Sequence, residues 1–199
     1  MRRNIDYFFS HASPWTYLGS ERLHAIATAA DASISYRPVS FAKIFAVSGG
    51  LPVGARAPQR QNYRLVELAR WRDYLKVDLI LEPKYFPVPD RAANQLVIAA
   101  DRQKLNTGRL SNAILRAVWA QERNIADDAT LAAIATEQGT DGAALLDASK
   151  QPEFARTFDA YTSEAIERGV FGAPSYIVDG TIFWGQDRLD FLARALSAA

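Results

Sequence analysis

The chain contains no cysteine. That absence excludes disulfides, thiolate metal sites, a cysteine nucleophile and any dithiol redox cycle run by the protein's own side chains. An excess of charge of either sign is also missing, since 23 Lys and Arg against 22 Asp and Glu leave a net charge of +1, without a basic block or an acidic tail. Nothing electrostatic therefore argues for nucleic acid or an anionic membrane as a partner. No stretch approaches the roughly 18 consecutive apolar residues of a membrane span, and the N-terminus lacks an apolar segment of signal-peptide length, so a cytoplasmic protein with no membrane partner is expected. Gly49-Gly50, followed by Pro52 and Gly54, lacks the Gly-Lys-Ser/Thr ending of a phosphate loop, and no Gly-x-Ser-x-Gly elbow offers a hydrolase nucleophile. His11 and His24 fall on different elements and no carboxylate cluster has ligand spacing, so no metal is expected. Small-molecule chemistry remains.

The 199 residues suffice for one large domain, or for one domain carrying an insertion. Ile5 to Phe9 reads as a buried strand, Pro14 to about Ala30 as a helix, and Ile34 to Val39 as a second strand, which together make a βαβ start. From about Gln59 to Gly169 the periodicity is helical, with helices expected over 59–76, 92–104, 110–123, 129–138, 142–149 and 152–168. Leu81 to Pro89 is a proline-stiffened loop between the first two. Asn106 or Thr107, Asp127 or Asp128, and Asp141 offer N-caps, and Gly139 and Gly169 offer stops. Strands return at Ser175–Val178 and Thr181–Trp184 around Asp179-Gly180, a strong hairpin signal, and a last helix runs from about Arg188 to Leu196. The fold class is α/β, with a discontinuous sheet domain over 1–41 and 165–199 and an inserted helical domain over 42–164.

The stretch Tyr7-Phe8-Phe9-Ser10-His11-Ala12-Ser13-Pro14-Trp15-Thr16-Tyr17-Leu18 carries the strongest chemical signal. Ser13 stands where an N-cap belongs and Pro14 at the first helical position, so the hydroxyl sits among unpaired N–H groups at the positive end of a helix. Two readings stand: Ser13 caps the helix, or it also holds an anion. His11, beside it, is read as a packing residue in preference to a general acid or base. Arg56 and Arg60 either meet a carboxylate or are simply solvated. Trp71, Trp119 and Trp184 lie on apolar faces and read as core, whereas Trp15, just past the serine, reads as lining an acceptor pocket.

The element order is that of a thioredoxin-like fold with helices inserted after the second strand, in which a proline before the third strand packs opposite the first helix's N-terminus. Ala173-Pro174 is in that position, and where such oxidoreductases carry Cys-x-x-Cys this chain has Ser13-Pro14-Trp15-Thr16. Four blocks together, the Phe-Phe-x-x-x-Ser-Pro-Trp-x-Tyr-Leu start, Tyr36-Arg37-Pro38-Val39, Gly172 to Gly180, and Phe183 to Leu189, resemble the 2-hydroxychromene-2-carboxylate isomerases and kappa-class glutathione transferases. The resemblance covers essentially the whole chain. It implies a homodimeric, glutathione-dependent isomerase acting on a small aromatic or conjugated carboxylate through a reversible glutathione adduct; a conjugating transferase and a non-catalytic thioredoxin-like peptide binder are the alternatives.

Carried over by position, Ser13 matches the serine that holds the glutathione sulfur, Ala173 with Pro174 the backbone that pairs with the cysteinyl part, and Gln186 with Asp187 the pair at the γ-glutamyl end. Asp187 also reads as a helix N-cap. Three positions depart from the family's pattern. Gly50 stands where an asparagine is usual, Arg60 before Tyr63 stands for a lysine, and Ser10 replaces an aspartate common near the first strand. Gly50, Arg56 and Trp15 are therefore placed in the substrate pocket, and Arg60 with the cofactor.

Overall fold

The structure, a computed structural model, describes residues 2–197. Its sheet is built on β1 (Asn4–Phe9), which pairs in parallel with β2 (Ser33–Pro38) and antiparallel with β3 (Ser175–Val178); β3 in turn pairs antiparallel with β4 (Thr181–Trp184), giving the order β2-β1-β3-β4. β1 is central and covered on both faces, which is why Ile5, Tyr7, Phe8 and Phe9 form a near-continuous apolar run. Side chains alternate across the sheet. Ile5, Tyr7, Phe9, Tyr176 and Val178 enter one core, while Phe8 and Ile177 enter another. The β3–β4 turn has positive φ at both Asp179 (49°) and Gly180 (78°), the geometry that an Asp-Gly pair favours in a two-residue hairpin.

The first face is covered by α1 (Pro14–Ala29), the crossover between β1 and β2, and by α9 (Leu189–Ser197) with its buried Leu189, Leu192 and Leu196. The second is covered by α2 (Phe41–Ser48) and α8 (Pro152–Glu167), through Ile44 and Ala165, and by Val170 just beyond α8, against Phe8 and Ile177. Between α2 and α8 lie α3 (Pro58–Leu75), α4 (Arg91–Arg102), α5 (Thr107–Trp119), α6 (Asp128–Glu137) and α7 (Gly142–Ser149). The core under α1 continues into α4 and α5 through Leu96, Val97, Ile114 and Trp119. This is a thioredoxin-like fold with a helical insertion after the second strand.

Local chemistry explains the helix ends. Asn106, Asp127 and Asp141 cap α5, α6 and α7 by accepting from the N–H groups of Arg109, Thr130 and Ala144 at 3.0, 2.8 and 3.0 Å. Gly139 and Gly169 follow α6 and α8 with φ of 85° and 75°. Two elements differ from the sequence expectation. α5 starts at Thr107, three residues before Leu110, because Asn106 supplies its cap. α2 escaped the pattern altogether: it is eight residues long, Ser40 caps it, and Ile44 is its one fully buried side chain, so no apolar stripe marks it.

Candidate active site

β1 ends at Phe9, and the chain turns tightly through Ser10 to Ser13 before α1 begins, with the Ser13 N–H donating to the Ser10 carbonyl at 3.2 Å. Ser13 keeps an extended backbone (φ −99°, ψ 120°), and its Oγ accepts from the Thr16 N–H at 3.2 Å, a standard N-cap. The hydroxyl hydrogen has no acceptor among the described residues, and Ser13 is only half-buried. As the second helical residue, Trp15 has an N–H without an intrahelical acceptor. The first turn of the helix itself holds no acidic side chain.

The turn is held from outside the sheet. His11 is 0 % exposed, with Nδ1 2.6 Å from Asn94 Oδ1 and Nε2 3.1 Å from Ser111 Oγ. Burial pushes its pKa down, against the opposing pull of Asp90 and Asn94, so the ring is neutral and both its nitrogens are engaged. Trp119 adds a bond from its indole N–H to the His11 carbonyl at 3.2 Å. The Ser10 hydroxyl donates to Asp90 Oδ2 at 2.6 Å, and the Ala12 N–H points at both Ser10 Oγ (3.1 Å) and Asp90 Oδ2 (3.3 Å). A carboxylate thus stands beside Ser10 after all, delivered by the residue ahead of α4. Sequence reading missed Asp90, Asn94 and Ser111. The available signal was the spacing of Asp90 and Asn94, four residues apart on a face otherwise made of Ala93, Val97 and other apolar groups.

Ala173-Pro174 is joined by a cis peptide bond. Because Phe8 pairs with Ser175, continuing the antiparallel register sets Pro174 and Ala173 beside the end of β1, where the Ser13 turn starts. The Pro174 carbonyl accepts from the Gly185 N–H at 2.8 Å, while the Ala173 N–H and C=O have no backbone partner among the described residues. That same bond tethers the turn bearing Gln186 and Asp187. The turn seats on α1 at Gly19, where an added Cβ would lie 2.9 Å from Gln186 Cβ and 2.9 Å from the Tyr176 hydroxyl. Gly19 is six residues past Ser13, about 9 Å along the helix axis, a span that a tripeptide covers. Gln186 is 1 % exposed, and its Oε1 accepts from Arg22 at 2.8 Å, while its amide nitrogen has no protein acceptor among the described residues. Asp187 is accessible and pairs with neighbouring Arg188 at 2.7 Å.

The remaining residues singled out from the sequence lie on α1 itself, in the segment around α2 and α3, and on β4. Arg56 follows a 3-10 turn and donates from Nε to the Leu51 carbonyl at 2.8 Å. Arg60, in the first turn of α3, is exposed and makes no ion pair. One turn on is Arg64, which sequence reading missed; it is buried, with its guanidinium 5.0 Å from the Phe86 ring and 6.0 Å from that of Trp119. Trp15 packs half-buried against the main core. Gly50 touches Phe45, whose ring would lie 2.2 Å from an added Cβ, so the room an asparagine side chain would need is filled by that ring. Trp184 is the exception to the core expectation. It is 51 % exposed on the edge strand, resting on Phe171 at 4.8 Å, because no helix covers that part of β4.

A family model for the DSBA-like thioredoxin domain matches residues 4–197. The 2-hydroxychromene-2-carboxylate isomerase of Sphingobium xenophagum is 31 % identical over 194 residues, covering 96 % of this chain and 97 % of that protein. The chain belongs to the 2-hydroxychromene-2-carboxylate isomerase family of DSBA-like thioredoxin domains. A solved 2-hydroxychromene-2-carboxylate isomerase superposes with a TM-score of 0.85 at 25 % identity, over 98 % of this chain and 94 % of that one. Human glutathione S-transferase kappa 1 is similar at 23 % identity, over 98 % of this chain and 91 % of that protein. Membership of this isomerase family places the chain among isomerase-type enzymes.

Proposed function

We propose that this protein is a glutathione-dependent isomerase of the 2-hydroxychromene-2-carboxylate isomerase type, acting on a small aromatic carboxylate. The observation that carries the reading is the Ser13 hydroxyl, which caps α1 yet keeps its hydrogen undirected at the helix's positive end, in a chain without cysteine. Such a group cannot run a redox cycle; it can hold a thiolate that arrives with a ligand. The residues around it fit that ligand in kind. The unpaired Ala173 N–H and C=O suit a peptide backbone, the accessible Asp187 carboxylate suits an ammonium, and the unpaired Arg60 suits a carboxylate.

Glutathione, when bound, supplies a thiol that adds reversibly to a conjugated carbon skeleton and leaves again, which frees a former double bond to rotate. Ser13 donates its hydroxyl hydrogen to the sulfur anion, and the Trp15 N–H adds a second positive group beside it. Ala173 aligns the peptide, while Asp187 and the Gln186 amide nitrogen hold its γ-glutamyl end. The neutral, fully engaged His11 takes no proton in this scheme; it fixes the turn on which Ser13 stands.

The test is a spectrophotometric assay for interconversion of 2-hydroxychromene-2-carboxylate and trans-o-hydroxybenzylidenepyruvate, with and without glutathione. Conversion that depends on glutathione is expected. The same rate without it, or no calorimetric binding of glutathione at millimolar concentration, would sink the reading. A kappa-like conjugating transferase is the second reading, favoured by the Phe45 ring at Gly50; it predicts accumulation of a stable conjugate in the same assay.

A further inference from the structure

The 18-residue helix α3 fully buries only Arg64 and Leu68, and it packs chiefly on α1. Its outer face carries Tyr63 (57 % exposed), Val66 (45 %) and Tyr74 (74 %). With Val47 in α2 and Leu51 in the loop after it, five of the eight large apolar side chains left exposed among the described residues fall between positions 47 and 74. A single exposed apolar group is ordinary; so many on one stretch mark a contact surface, and tyrosine is among the residues enriched in such surfaces. The loop is tied to the start of α3. Arg56 donates to the Leu51 carbonyl at 2.8 Å, and the Gln61 side chain donates to the Arg56 carbonyl at 2.7 Å.

The order of residues on this face says what fits it. Tyr63, Glu67, Arg70 and Tyr74 fall within about 60° of one another around the helix, at about 100° per residue. Glu67 and Arg70 pair at 2.7 Å on that strip, with the Arg70 guanidinium 6.0 Å from the Tyr63 ring. The strip runs tyrosine, acid, base, tyrosine, and its spacing is the same read from either end, with acid and base exchanged. A second copy laid antiparallel, about a two-fold axis level with the Leu68–Ala69 peptide, therefore sets Tyr63 against Tyr74 of the other copy and each Glu67 against the other's Arg70. A parallel copy would set like charge against like charge. We propose that the outer face of α3 docks on the same face of a second copy of this chain, in an antiparallel, isologous pair. The helix is about 27 Å long, and Leu51, held at its start, extends the contact at each end of the pair. Nothing in this pairing depends on glutathione or on the isomerase reading.

Sedimentation velocity at about 50 μM protein tests the pairing, with circular dichroism to show that each variant is folded. The wild type should sediment at twice the 22.0 kDa mass of the chain. Arg70→Glu leaves four acids at the axis and Glu67→Arg four bases, so each variant alone should sediment as a monomer. Mixed one to one, the two should recover the dimer, and so should the single chain carrying both substitutions. Disulfide trapping then fixes the direction, because the chain has no thiol of its own. Tyr63→Cys and Tyr74→Cys should cross-link when mixed and oxidised, and neither should cross-link alone. A monomeric wild type, a dimer that survives both charge reversals, or a mixture that stays monomeric would overturn the proposal. Cross-linking of either cysteine variant with itself would overturn the antiparallel arrangement and the charge pairing with it.

Discussion

In the proposed mechanism Ser13 does two jobs through one oxygen, accepting through a lone pair and donating through its hydrogen. Acceptance from the Thr16 N–H stabilises the helix, and loss of that cap in Ser13→Ala should cost about 1 kcal/mol of stability. Donation to a sulfur anion belongs to the charge-assisted class, about 1.5–3 kcal/mol, so turnover should fall some 10–100-fold. Ser13→Gly keeps most of the capping stability; an equal loss of turnover in both variants, measured against glutathione affinity, assigns the effect to the hydroxyl. His11 makes a separate prediction. Its pKa lies below the ordinary 6.5 in the folded chain, so the unfolded chain takes up a proton that the folded one refuses. Its contribution is therefore full above about pH 6.5 and declines as pH falls toward the folded value. Urea unfolding between about pH 7 and 5 should show a shallower pH dependence in His11→Gln than in wild type. Ser13 and Pro14 were legible as a helix start because capping acts within three residues, whereas Ala173 and Asp187 were singled out by family resemblance. Arg64 and Asp90 were not legible, because what sets them apart is the lack of a partner in one case and a partner 80 residues away in the other.

At the scale of elements, α1 is the common wall, and Gly19 decides how closely the Gln186–Arg188 turn can approach it. An alanine there gains about 1 kcal/mol of helix propensity, yet its Cβ would meet Gln186 and the Tyr176 hydroxyl at 2.9 Å. Gly19→Ala should therefore weaken glutathione binding several-fold, while circular dichroism shows the helices intact; unchanged affinity would show that the turn does not hold the ligand. Gly142 makes a purely structural counterpart. Its Cβ would lie 2.0 Å from the Ala132 carbonyl oxygen in α6, a backbone atom that cannot swing away. Gly142→Ala should cost about 1–3 kcal/mol in urea unfolding without changing glutathione affinity. The caps at Asn106, Asp127 and Asp141 could be read from sequence because a cap is a contact within three residues; the packing of Gly19 and Gly142 could not, because both neighbours come from other elements.

Across the whole molecule, the last inserted helix is tied to the sheet by charge as well as by Phe8 and Ala165. Asp6 on β1, Arg37 on β2, Glu164 in α8 and Arg168 just beyond it close a ring of ion pairs at 2.7 to 3.2 Å, half-buried over the Phe8 face. A double-mutant cycle of Asp6→Asn with Arg168→Met should give a coupling of about 0.5–3 kcal/mol in unfolding experiments, and additive effects would show that the ring is idle. The sequence by itself determined the α/β class, the order of the strands and of the helices other than α2, the hairpin turn, most helix ends and the Ser13–Pro14 start, since those follow from periodicity, capping and turn chemistry acting over a few residues. Tertiary structure alone decided that Asp90 comes back to Ser10, that Phe45 fills the space at Gly50, that Trp184 lies open on an edge strand, and that Arg64 is enclosed without a partner. Burial and pairing are properties of groups far apart in the chain, and no local pattern encodes which of them will meet.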